Sequence, residues 1–114
     1  MVISVGEKVH VVTRRLFEED LRRHFAGVVE GTTDTAIRVR GYTWVYERSS
    51  GEFIRRKAMR TMVMGTSDAG LILSILPETV ELDNLRYAMD SKRKRVLTDD
   101  HGFEMNVSEF GAMR

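Results

Sequence analysis

The chain has no cysteine, a single proline at Pro77 and no apolar run of the length a membrane helix requires. Without cysteine there are no disulfides and no thiolate metal sites, a composition that suits a reducing compartment. A helix that crosses a bilayer needs about 20 predominantly apolar residues, so no membrane partner is expected. The opening "MVISVGEKVH" has no basic segment ahead of a long apolar stretch and does not resemble a secretory leader. Also missing are a Gly-x-Ser-x-Gly elbow, a His-Glu-x-x-His helix, a phosphate-binding Walker loop and a glycine-rich dinucleotide turn. No catalytic residue is nominated, and an enzyme is not expected. The three histidines, His10, His24 and His101, are scattered, so neither a metal site nor a cofactor is expected. Together these absences point to a soluble, cytoplasmic binding or structural protein.

Charge of one sign is missing too. Eighteen basic residues stand against seventeen acidic ones, a net charge of +1, so the whole molecule is not a polycation. The kind of basic residue says more, because fourteen of the eighteen are arginine. Arginine pairs bidentately with phosphate and carboxylate and stacks on aromatic rings, whereas lysine acts as a hydrated point charge. At 114 residues with 42% apolar content, the chain is long enough for one domain with a real core.

Period-two alternation dominates the pattern. "EKVHVVTRRLF" places Val9 and Val11 opposite His10 and Val12 and reads as a first strand. "EED" (residues 18–20) reads as the turn of a long hairpin returning through "LRRHFAGVVEG", although Leu21 and Phe25 also fit helical spacing. "GTTDT" is a turn, and "AIRVRGYTWVYER" follows as a third strand with Gly41 marking a bulge or bend. "ERSSGE" turns the chain into "FIRRK". "RTMVMG" is β-compatible. "LILSILP" is apolar on both faces, which predicts a strand buried on both sides and closed by Pro77. Residues 78–90 fit either a strand or a short helix. "DDHG" then separates the two arms of a terminal hairpin, with Phe103, Met105 and Val107 on one face. A small sheet of this kind removes its exposed edges by curling into a barrel or by pairing with a neighbouring subunit.

Two stretches carry a resemblance. "FAGVVEGTTDTAIRV" places Phe25, Gly27, Val29, Asp34, Ile37 and Val39 as in the first motif of the Sm-like (LSm and Hfq) small β-barrel family. "AGLILSILP" supplies Gly70, Leu73, Leu76 and Pro77 for the second. The resemblance spans roughly residues 7–82. It implies a strongly bent, five-stranded antiparallel barrel over residues 1–90 with a hairpin inserted at about 42–62. Residues 91–114 would extend the same domain. It further implies a homo-oligomeric ring of six or seven copies that binds single-stranded RNA. The match departs from the family where a basic residue should precede a glycine, because Ala69 stands there.

The candidate site residues follow from alternation along the third strand and from this resemblance. Arg38, Arg40, Tyr42, Trp44, Tyr46 and Arg48 share one strand face, with Asp34 and Thr35 in the adjoining turn. Aromatic rings flanked by arginine suit single-stranded nucleic acid, with stacking worth about 1–3 kcal/mol per base. The same composition suits a subunit interface or a covered structural face, and a bulge at Gly41 would split the stripe. Arg14, Arg15, Arg22 and Arg23 flank the "EED" turn. Held close together they call for an anion or a partner's carboxylate, with Glu18, Glu19 and Asp20 as the local alternative. The run "SKRKR" reads as a solvated turn.

Overall fold

A computed structural model of the chain describes residues 2–13, 23–66 and 71–107. The protein is mainly β, with antiparallel pairing throughout. It divides into two compact units, Met1–Glu78 and Thr79–Arg114. Among the described residues no helix is long and apolar enough to cross a membrane.

The first unit contains β1 (Lys8–Thr13), β2 (Arg23–Thr32), β3 (Ala36–Glu47), β4 (Glu52–Arg55), β5 (Arg60–Gly65) and β6 (Leu71–Leu76). They form one sheet in the order β4-β3-β2-β1-β6, with β5 also paired to β3. β3 is long enough to take two partners along one edge: Ala36–Gly41 pair with β5, and Trp44–Glu47 pair with β4. The sheet is six-stranded and open, not the closed five-stranded barrel expected from sequence. Among the described residues β5 pairs only with β3, and β6 only with β1.

Alternation decides which side chains enter the core. Val9, Val11, Phe25, Val29, Ile37 and Val39 are buried together on one face, with Met62, Met64, Leu71 and Leu73 packed against them. Burying an aliphatic or aromatic side chain of this size contributes about 1.5–3 kcal/mol. Across this core Gly27 is paired with Gly41. A Cβ built on Gly41 would lie 2.0 Å from the Ala26 carbonyl oxygen, and one on Gly27 would lie 2.3 Å from that of Arg40. The two backbones approach too closely there for any side chain.

Gly41 is therefore a point of close approach and not a bulge. The register runs unbroken through Ala26–Tyr42, Gly27–Gly41 and Val28–Arg40 and shifts instead between Val29 and Gly31, leaving Glu30 as the extra residue. One more expectation needs correction. β6 is not buried on both faces, because Ile72 and Ile75 are 43% and 48% exposed: it is an edge strand.

The second unit is a three-stranded meander of β7 (Arg86–Met89), β8 (Arg95–Thr98) and β9 (Glu104–Asn106), preceded by a 3-10 turn over Leu82–Asn84. The ambiguous segment 78–90 thus holds a 3-10 turn and then a strand. "SKRKR" makes the bend from β7 to β8: the Asp90 carboxylate accepts from the backbone N–H groups of Lys92 and Lys94, both at 2.8 Å. The expected terminal hairpin is present as β8–β9. Its turn is organised by Asp99, whose carboxylate is buried and accepts from the N–H groups of Glu81, His101 and Phe103 at 3.0, 2.8 and 3.1 Å. Those bonds, led by the one from Glu81, hold the carboxyl below its ordinary range.

Candidate functional site

The candidate residues on β3 fall on the sheet face opposite the core cluster, since Ile37 and Val39 point into that cluster and Arg38 and Arg40 alternate with them. Arg38 and Arg40 are exposed. The cross-strand neighbours of Arg38 are Gly31 and Val63, and those of Arg40 are Val28 and Thr61. None of the four carries a charge, so no carboxylate directly faces either guanidinium across the ladder. Val63 beside them is 70% exposed.

Further along the strand the same face changes character. Tyr42 is half-buried, and Trp44, 1% exposed, does not present a ring to solvent. Trp44 lies opposite His24 on β2 and Arg55 on β4, and Tyr42 opposite Ala26. The resulting patch is aromatic. Tyr42 meets Trp44 edge-on at 6.5 Å, His24 meets His10 edge-on at 5.6 Å, and Phe53 lies 4.3 Å from His24 and 5.2 Å from Tyr46, centroid to centroid. The Arg55 guanidinium carbon sits 4.5 Å from the Tyr42 ring centroid, a cation–π contact on a ring that was expected to receive a base. Burial pushes the His10 imidazole down to about pKa 4, because the low-dielectric surroundings disfavour its charged form.

Asp34 and Thr35 are exposed in the β2–β3 turn. Thr33 shapes that turn: its hydroxyl oxygen accepts from the N–H groups of Thr35 and Ala36 at 3.3 and 3.1 Å, a side-chain turn of the type serine and threonine favour. Arg14, Arg15 and Arg22 lie outside the described residues. Arg23 opens β2 and is exposed. It is opposite Val45 and so shares the core-cluster face with Phe25, away from Arg38 and Arg40. The structure therefore brings Arg38, Arg40 and Tyr42 onto one face, covers Trp44, and separates Arg23 from them.

Arg55 and Phe53 were not singled out from sequence. The signal was present, because a hairpin turning at "ERSSGE" lays "FIRR" beside the aromatic half of β3. Among the described residues no three His, Asp or Glu side chains converge as a metal site would require. Comparison of the chain with protein-family models, with curated proteins and with solved structures finds no match in any of the three.

Proposed function

We propose that this chain is a homo-oligomeric binding module of the Sm-like type, assembled by strand pairing between copies and taking single-stranded RNA on the Arg38–Arg40 face. One observation carries the reading. Among the described residues the sheet ends in β4 and β5 on one side and in β6 on the other, and β5 and β6 bear exposed aliphatic side chains, Val63 on one and Ile72 and Ile75 on the other. Open edges with apolar flanks invite pairing with another chain. Joining β5 of one copy to β6 of the next uses both edges and closes into a ring when the rotation permits, with six or seven copies in the Sm-like case.

Arg38 and Arg40, unopposed by charge across the ladder, supply phosphate contacts along the backbone of a bound strand, and the exposed part of Tyr42 supplies a surface for a base. The test is fluorescence anisotropy of labelled oligo-U and oligo-A at two salt concentrations. Binding that weakens with salt and drops roughly tenfold or more in Arg38→Gln/Arg40→Gln is expected, because each lost phosphate contact removes counterion release. Absence of binding, or binding indifferent to both salt and the substitutions, rejects the RNA assignment.

A second reading is favoured by the burial of Trp44 and by the Arg55 contact on Tyr42. In it the aromatic half of the face is purely structural, and the protein assembles without a nucleic-acid ligand. An oligomer of unchanged mass that ignores both oligonucleotides selects this reading over the first.

A further inference from the structure

The core-cluster face of the first unit is not filled along its whole length. Past Gly41 the next inward residues of β3 are Thr43 and Val45, both small, and a cleft of about 340 Å³ remains over them. Its floor is made by Val11, Phe25, Val45, Met62 and Met64. Three arginines, Arg23, Arg56 and Arg60, also line it, and no acidic residue is among the described residues that do. All three are exposed at the cleft mouth, and among the described residues none makes an ion pair. Two of them are fixed by their backbones: the Arg56 N–H donates to the Thr43 carbonyl at 2.8 Å, and the Arg23 carbonyl accepts from the Thr13 hydroxyl at 3.2 Å. Thr43 also lines the cleft, and among the described residues its buried hydroxyl oxygen has no hydrogen-bond partner.

Each feature narrows the occupant. The volume falls at the lower end of small-molecule sites, about 300–1,000 Å³. The apolar floor asks for an apolar body, and the thioethers of Met62 and Met64 with the Phe25 ring favour an aromatic one. The arginine forks ask for a planar anion that accepts bidentately. We propose that this cleft is a binding site for a small aromatic carboxylate, its ring against Phe25, Met62 and Met64 and its carboxylate on Arg56 and Arg60. This site is separate from the Arg38–Arg40 face and stands whether or not that face binds RNA.

The test uses the full chain with methyl-labelled methionine, titrated with 4-phenylbutyrate, with the neutral 4-phenylbutanol and with uridine 5′-monophosphate. Saturable shifts of the Met62 and Met64 methyl signals with the carboxylate are expected. Roughly tenfold weaker binding is expected for the alcohol and for Arg56→Gln/Arg60→Gln, the loss typical of a charge-assisted contact. Both arginines are exposed, so the double variant keeps its fold, which unchanged signals from the remaining methionines verify. A second variant, Val45→Phe, fills the cleft and abolishes the shifts. The proposal is overturned if neither methyl signal responds up to the solubility limit, if the alcohol binds as well as the acid, or if the nucleotide binds and the carboxylate does not.

Discussion

The two units of this chain solve the same problem, holding a small antiparallel sheet together, by different means. The first relies on apolar burial and on a glycine pair pressed backbone to backbone. The second buries Val80, Leu85, Val96, Leu97 and Val107 and adds carboxylates as internal struts, Asp99 on three backbone N–H groups and Asp90 on two. In a short meander the tight turns leave backbone N–H groups that side chains must satisfy, whereas a long sheet satisfies most of its own through the ladder. Glycine shows the same contrast. Gly41 is glycine because there is no room for a Cβ. Gly102 has open space around it and is glycine because its φ is +98°.

That contrast is broken most severely at Gly41. Gly41→Ala drives a methyl group into the Ala26 carbonyl, and a loss of about 3 kcal/mol or more is expected, read from urea unfolding followed by Trp44 fluorescence. Gly102→Ala leaves space and strains only the backbone, so a loss of about 1 kcal/mol is expected in the second unit by residue-resolved amide exchange.

Acid separates the units next. His10 titrates near 6.5 in an unfolded chain and at about 4 in the folded unit. Between those values the unfolded state binds the proton that the folded state refuses, so stability rises with pH across the window. Acidification from neutral to pH 4 removes on the order of 3 kcal/mol from the first unit. Asp99 and Asp100 behave oppositely: their carboxyls are held below the ordinary 3.8, so their contribution is intact above that value and fades only as pH falls through the lowered ones. Amide exchange, corrected for intrinsic rates, is expected to show the first unit weakening at about pH 4.5 while the second holds. Equal weakening of both contradicts the assignment.

Asp99→Ala sharpens the comparison from the other side. It strands three N–H groups, and exchange at Glu81, His101 and Phe103 is expected to accelerate roughly tenfold or more with the first unit unchanged. The smallest effect is expected at Arg86, which forks onto Asp100 at 2.7 and 2.9 Å but is well exposed. Arg86→Gln is expected to leave stability within experimental error.

Much of this was legible in the sequence wherever alternation met a turn signal. β1, β3, β4 and the β8–β9 hairpin follow directly from that pattern. The Gly27–Gly41 contact was also available, since each glycine stands seven residues from Asp34 in the turn, but a lone interior glycine reads equally as a bulge. What could not be read is what lies over a face. "LILSIL" has the same pattern whether it is buried on both sides or is an edge with apolar flanks. Burial of Trp44 depends on its placement beside His24 and Arg55, neither of which is near it in sequence. The cleft was illegible for the same reason: it arises from what Thr43 and Val45 fail to fill, and its arginines come from two distant parts of the chain, Arg23 from one and Arg56 and Arg60 from the other.

Assembly through β5 and β6 is the claim on which the functional account rests, and light scattering of the purified protein tests it most directly. For a chain of 13.1 kDa, the account predicts a mass of six or seven chains. Substituting Ile75→Lys or Val63→Lys at the edges is then expected to reduce it. A single-chain mass for the unaltered protein at high concentration would contradict the account, because the two open edges would then have no partner to cover them.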